Sequence, residues 1–133
     1  MTDQILFEAY YTYNSVIEFK TVGLINRMGI PCGYVGFNVI NEDLHMSVLQ
    51  NIRNNIGNIN VHGGITFNDD IERTDCLPWM AKPENSKYTW IGWDYSHYND
   101  HHPDINPNSR KYFEDKICRE AYSVVKQLIS IIE

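Results

Sequence analysis

The chain has 133 residues, of which 43% are hydrophobic and 21% are charged, and its net charge is −6. This length fits one domain with its own core, so we expect a single domain over residues 1–133. The acidic balance argues against a duplex nucleic-acid binder, which needs Lys and Arg at its surface, but it leaves room for a local site that binds a small anion.

The sequence shows no targeting segment, no membrane span and no Cys-x-x-Cys motif. The first residues have no basic start followed by an apolar stretch, and no apolar run reaches the length of a membrane span. The three Cys residues include no Cys-x-x-Cys spacing, which favours reduced thiols. We therefore expect a cytoplasmic protein that does not associate with a membrane.

Strand-forming residues dominate residues 4–40, and the last of these stretches is Cys32-Gly33-Tyr34-Val35-Gly36-Phe37-Asn38-Val39. A turn at Gly29-Ile30-Pro31 is predicted to start this strand. The glycines at positions 33 and 36 weaken a regular strand, and they indicate the close approach of another backbone or of a ligand.

The middle of the chain predicts a short helix, a strand, a long connection and a second strand. Apolar residues recur at helical spacing over residues 43–56, and Gly57-Asn58 ends that helix. Ile59-Asn60-Val61 then begins the next strand, and residues 68–87 form a polar connection of a length that is often functional. The second strand spans residues 88–94.

The C-terminal segment predicts a long amphipathic helix. Asn106 serves as N-cap and Pro107 takes the first helical position, where its missing N–H costs nothing. One apolar stripe follows, made by Phe113, Ile117, Ala121, Val124, Val125, Leu128 and Ile131. The elements together predict an α+β domain with a mostly antiparallel sheet, this long helix and one shorter helix.

The first segment with chemical potential is Val61-His62-Gly63-Gly64-Ile65-Thr66-Phe67. A glycine pair permits backbone conformations that are closed to other residues, and its amides can receive an anion such as phosphate. His62 suits a metal ligand, a general base or a hydrogen-bond donor. The simpler interpretation is a bulge or turn whose His bonds to the backbone.

The second segment covers residues 90–100 and contains Asp94, His97 and Asp100. Strand alternation places Asp94 on the side of Gly92, where we expect open space. A turn after Asp94 would bring His97 and Asp100 to the same side, which suits a metal site or a carboxylate that orients an imidazole. The alternative is a polar loop in which both carboxylates accept backbone N–H groups.

Taken together, these segments resemble a family of small uncharacterised bacteriophage and prophage proteins. The shared pattern is Val-His-Gly-Gly-hydrophobic-Thr-Phe, then aromatic-hydrophobic-Gly-aromatic-Asp-x-x-His-x-x-Asp, then an amphipathic helix with a Gln-Leu pair, here Gln127-Leu128. Residues 32–36 also resemble the early strand of the family, so the likeness covers residues 32–128. Where the family often has Phe-Asp-Cys-Ala-His, this chain has Trp93-Asp94-Tyr95-Ser96-His97, so a thiol at position 95 is not required here. The resemblance implies a phage origin, the cytoplasm of a bacterial host, and a role in host takeover or anti-defence.

The first functional hypothesis is a polar pocket that binds a small ligand, with a nucleotide immune signal as its sharpest form. The predicted ligand contacts are His62, Gly63, Gly64, Thr66, Trp93, Asp94 and His97. A phosphate also needs cations, and the candidates are Lys20, Arg27, Arg53, Arg73, Lys82 and Lys87.

Two further hypotheses remain open. A metal-dependent hydrolase would hold Zn, Mn or Fe with His62, Asp94, His97 and Asp100, and the catalytic candidates are the first three of these. A protein–protein inhibitor of a host enzyme would act through its acidic surface instead. The aromatic-rich composition also favours a homodimer.

Overall fold

The computed structural model describes residues 3–68, 77–96 and 107–133. These residues form a five-stranded antiparallel sheet in the order β1-β2-β3-β5-β4, with strands β1 Gln4–Tyr13, β2 Ile17–Ile25, β3 Pro31–Val39, β4 Phe67–Asn68 and β5 Thr89–Asp94. The helices are α1 His45–Asn55 and α2 Pro107–Ile132. The predicted α+β class with one long and one shorter helix is confirmed, while the proposed cap Asn106 lies outside the described residues.

Tight turns connect the first three strands. Asn14 and Ser15 have φ angles of 49° and 56° in the β1–β2 turn, which is the backbone of a type I′ hairpin. Before β3, Gly29 has a φ angle of 81°, and the Asn26 side chain accepts the N–H groups of Met28 and Ile30 at 2.9 and 3.0 Å. The predicted turn ahead of β3 is therefore confirmed.

The main core lies between the sheet and α2. Alternation sends one set of side chains from each central strand toward this helix, where the predicted stripe is buried except for the half-buried Ile131. Complete burial of one such side chain contributes about 1.5–3 kcal/mol, so this layer dominates the stability of the fold. The sheet residues in it include Ile17, Phe19, Val35, Phe37, Ile91, Trp93 and Tyr95.

The opposite face of the sheet carries a second, aromatic cluster beneath residues 77–88, made by Val22, Leu24, Cys32, Tyr34, Trp79, Met80, Tyr88 and Trp90. Lys20 is also buried on this face. Its ammonium group donates to the Asn85 side chain and lies 3.1 Å from a Glu8 carboxylate oxygen, so the buried charge is compensated.

The glycines at positions 33 and 92 lie against aromatic rings of the neighbouring strand. A Cβ atom at Gly33 would lie 2.4 Å from the Trp93 ring, and one at Gly92 would lie 2.5 Å from the Tyr34 ring. The prediction of open space beside Asp94 was therefore wrong, because the Tyr34 ring occupies the surface above Gly92.

The predicted strand from Ile59 onward is also wrong in extent. After a 3₁₀ turn at Ile56–Asn58, residues 59–66 run past α2 without forming a strand, and β4 has only two residues. Gln127 explains this path, because its side chain accepts the N–H of Asn60 at 2.7 Å and donates to the Asn60 carbonyl at 2.9 Å. The N–H and the carbonyl of Asn60, which a strand would pair with its neighbour, are thus bound to the helix.

Candidate functional site

The predicted glycine motif forms a tight turn over residues 61–64. The N–H of Gly64 donates to the carbonyl of Val61 at 2.9 Å, and Gly63, at the third position, has a φ angle of 70°. This is the position at which a type II turn requires glycine. Gly64 has a φ angle of 77°, and apart from its two chain neighbours no atom of the described residues lies within 4 Å of the place where its Cβ would stand. The described part of the chain therefore leaves the backbone at Gly64 uncovered.

His62 is fixed to α2 and to the end of β5. Its backbone N–H donates to Oε1 of Glu120 at 3.0 Å. Its ring stacks on the ring of Tyr95, with the centroids 4.6 Å apart and the planes 30° from parallel. The imidazole is thus held by stacking on a buried ring and lies half-buried at the surface.

A hydrogen-bonded network lies beneath that stack. The Tyr95 hydroxyl donates to Oε2 of Glu120 at 2.7 Å and accepts from the indole Nε1 of Trp93 at 3.0 Å. Trp93 and Tyr95 are 1% and 0% exposed. Trp93, which was predicted as a ligand contact, thus lies in the core. Its indole N–H is linked to the half-buried Glu120 through the Tyr95 hydroxyl. We call His62, Tyr95 and Glu120 the His62 cluster.

A cation stands beside this cluster. The ammonium nitrogen of Lys116 lies 5.8 Å from the centre of the Tyr95 ring, within the range of a cation–π contact. Lys116 precedes Glu120 by one helical turn, so α2 offers a positive and a negative group to Tyr95. Lys116 was not among the cations predicted for the site.

Asp94 belongs to a different group of side chains. Its Oδ1 accepts the Ser96 N–H at 3.1 Å and the Ser96 hydroxyl at 2.6 Å, and its Oδ2 accepts the Thr66 hydroxyl at 3.4 Å. Thr66 is placed there by its N–H, which donates to the Gly92 carbonyl at 2.9 Å. We call Thr66, Asp94 and Ser96 the Asp94 cluster.

The two clusters lie on opposite faces of the sheet at the end of β5. Asp94 and Tyr95 are neighbours in an extended chain, so their side chains point to opposite faces. His62 stacks on the Tyr95 face, whereas Thr66 bonds to Asp94. The structure brings Thr66 and Asp94 together and places His62 with Glu120 instead.

The Asp94 carboxylate also acts on two buried side chains of the aromatic cluster. Burial, followed by the nearby charge of Asp94, raises the pKa of Cys32 to about 12. Burial, together with the neighbouring Cys32, raises the pKa of Tyr34 well above its usual range. Both groups therefore stay neutral at physiological pH, which argues against Cys32 as a nucleophile.

Two of the four predicted metal ligands, His97 and Asp100, lie outside the described residues. Within the described ranges, no three His, Cys, Asp or Glu side chains are grouped closely enough to hold a metal ion. The four-residue ligand set with His62 and Asp94 therefore stays a prediction.

Two of the cations predicted for a phosphate are paired with carboxylates. Lys20 is buried against Glu8, and Lys87 forms an ion pair with Glu18 at 2.7 Å. Arg73 lies outside the described residues. The phosphate-binding role proposed for Lys20 and Lys87 would require both to leave a carboxylate partner.

Sequence reasoning missed the contribution of α2 to the site. Glu120 and Gln127 are two helical turns apart at the border of the apolar stripe, and both bind the backbone of residues 60–62. The available signal was this spacing, because polar residues that repeat beside a buried stripe often contact the adjacent element. The Gln127-Leu128 pair of the resemblance thus has a structural role in this chain.

Comparisons with protein-family models, with curated proteins and with solved structures find no match for this chain. None of the helices in the described ranges combines the length and the apolar character that crossing a bilayer requires.

Proposed function

We propose that this protein binds a small anionic ligand at the turn of residues 61–64. The observation that carries this proposal is the open, left-handed backbone at Gly64, directly beside an imidazole that is stacked in place on Tyr95. A type II turn requires glycine at its third position, Gly63, and the second left-handed glycine adds a stretch of backbone that no side chain of the described residues covers.

The side chains around the turn suit a phosphorylated ligand. The His62 imidazole offers a hydrogen-bond donor, and Lys116 adds a positive charge near the Tyr95 ring on which that imidazole stacks. A nucleotide-type immune signal carries the phosphate that such groups bind.

The biological role that follows is capture of such a signal in an infected bacterium. The resemblance to bacteriophage and prophage proteins supports this role, since a phage gains from removing a signal that activates host defence. Capture by binding needs no catalytic group. It therefore does not require the His62 cluster and the Asp94 cluster to act together on one ligand atom.

The test is native mass spectrometry of protein purified from bacterial cells, followed by calorimetric titration with a panel of cyclic nucleotides. We expect a bound nucleotide in the wild type and at least tenfold weaker binding in His62→Ala. The matched control is His45→Ala, which removes an exposed histidine at the start of α1. Unchanged binding in a folded His62→Ala variant would refute the proposal.

A second pair of variants tests the backbone. Gly64→Ala strains the left-handed backbone of the turn at its φ angle of 77°, whereas Gly57→Ala adds a Cβ in open space at a position without a positive φ angle. We expect weaker nucleotide binding only in Gly64→Ala. Metal content is measured on the same samples, and stoichiometric metal that disappears in Asp94→Ala would favour the metal-dependent hydrolase over simple capture.

A further inference from the structure

A groove of about 550 Å³ lies between the end of α1 and the second half of α2. Its lining includes the amides of Asn55 and Asn58, the hydroxyls of Ser123 and Ser130, and the cations Arg119 and Lys126. This volume is within the usual range of small-molecule sites. The groove lies outside both clusters described above.

The charge of the groove is positive in a protein whose net charge is −6. Arg119 and Lys126 are seven residues apart, which places them about 10 Å apart along one side of α2. No carboxylate lines the groove, and neither cation forms an ion pair with another described residue. Two cations that line one concavity and have no carboxylate partner among the described residues favour an anionic ligand.

The sequence shows the origin of this local charge. Residues 44–68 and residues 121–132 contain no Asp or Glu, although the chain has 17 acidic residues. The first segment supplies α1 and the following 3₁₀ turn, and the second supplies the later part of α2. The fold packs these two acid-free segments against each other, and the groove lies between them.

The remaining lining groups suit a polar ring. Tyr122 is 49% exposed and lines the groove; its ring packs against Tyr11 with the centroids 5.6 Å apart, and the Lys126 ammonium lies 5.6 Å from its centre. A supported ring beside a cation becomes a stacking surface for a nucleobase when the ammonium moves from the ring to the phosphate, and side-chain amides recognise the donors and acceptors of a base. Gln127, by contrast, is occupied with Asn60 and forms a wall of the groove.

We infer that this groove is a binding site for a nucleoside monophosphate. Arg119 and Lys126 hold the phosphate, Tyr122 stacks on the base, and the amides of Asn55 and Asn58 contact its polar edge. A nucleic-acid strand does not fit this surface, because two cations and a net negative charge cannot neutralise a run of phosphates. The site is separate from the turn at residues 61–64 and does not depend on its function.

The test is calorimetric titration of the full chain with AMP, adenosine and inorganic phosphate at physiological salt, with amide chemical shifts to map the site. We expect AMP to bind, to bind at least tenfold more tightly than adenosine, and to perturb residues 55–59 and 119–130. Arg119→Gln and Lys126→Gln should each weaken AMP binding about tenfold or more, as expected for a hydrogen bond between charged groups.

Lys111→Gln is the matched control, because it removes one positive charge from the same helix at a site paired with Glu114 and Asp115. It should leave AMP affinity unchanged. His62→Ala should also leave it unchanged, which distinguishes this groove from the proposed ligand site. The inference is overturned if the wild type does not bind AMP, if adenosine binds equally well, or if both folded groove variants bind AMP like the wild type.

Discussion

The Tyr95 hydroxyl is the centre of the network beneath His62, and its removal is the sharpest test of the structure. Tyr95→Phe keeps the ring on which His62 stacks. It deletes the donor to Glu120 at 2.7 Å and the acceptor for the Trp93 indole at 3.0 Å. No other polar group of the Tyr95 side chain changes.

The expected loss of stability follows from the burial of these groups. Trp93 is 1% exposed, so its N–H would stay buried without a partner, at a cost of about 1–3 kcal/mol. A hydrogen bond to a charged carboxylate adds about 1.5–3 kcal/mol. Glu120 is only half-buried and can exchange this bond for water, which reduces the second contribution. We expect a total near 3 kcal/mol, a large share of the roughly 5–15 kcal/mol that stabilises a domain.

The assay is urea unfolding, with Tyr88→Phe as the matched control. Tyr88 is 7% exposed, and its hydroxyl has no hydrogen-bond partner among the described residues. Its removal should change the free energy of unfolding by less than about 0.5 kcal/mol. If Tyr95→Phe loses less than about 1 kcal/mol, or no more than Tyr88→Phe, the network does not contribute as the distances indicate.

Three further predictions concern other parts of the fold. Alkylation of the native protein should modify the exposed Cys118 and spare Cys32, whose pKa rises from 9.0 to about 12 by burial and the charge of Asp94, and mass spectrometry of the labelled peptides checks this. Ser15→Gly should stabilise the hairpin by about 0.5–1 kcal/mol in thermal unfolding, because a serine at a φ angle of 56° is strained, and a loss of stability would contradict this. Hydrogen bonds from Lys87 and Asn38 lower the pKa of Glu18 in the folded protein. Compared with Glu18→Gln, the ionised Glu18 therefore stabilises the fold above its unfolded pKa of about 4.3. This stabilisation is lost as the pH falls through the lower pKa of the folded state. Urea unfolding of both proteins across this pH range should show a difference of at most about 1 kcal/mol that vanishes in acid, since Glu18 is partly exposed.

The features that follow from local pattern were predicted well from sequence. The apolar stripe of α2 and the alternation in β3 and β5 each report which side chains face the core, because the periods of helices and strands differ. The strand predicted from Ile59 failed for a nonlocal reason. Its backbone is captured by Gln127, which is 67 positions away in the chain, and no property of residues 59–66 alone indicates this.

The candidate site shows the same limit. Alternation correctly placed Asp94 and Tyr95 on opposite faces, but the sequence does not show which face His62 joins. That choice depends on Glu120, which accepts the His62 N–H and the Tyr95 hydroxyl at once. The glycine pair was more informative, because the left-handed backbone at Gly63 and Gly64 is a local property of glycine.

Helix α2 connects the two proposed sites through one short segment. Gln127 holds Asn60 and Glu120 holds His62, so residues 60–62 are attached to the helix at points about 10 Å apart. The groove lies beside the Gln127 attachment, and the open glycine turn follows the Glu120 attachment. A substitution that releases this segment, such as Gln127→Ala, therefore disturbs both surfaces, whereas Arg119→Gln and His62→Ala each change one. Gln127→Ala should therefore weaken binding at both sites, whereas Arg119→Gln should weaken binding only at the groove and His62→Ala only at the turn.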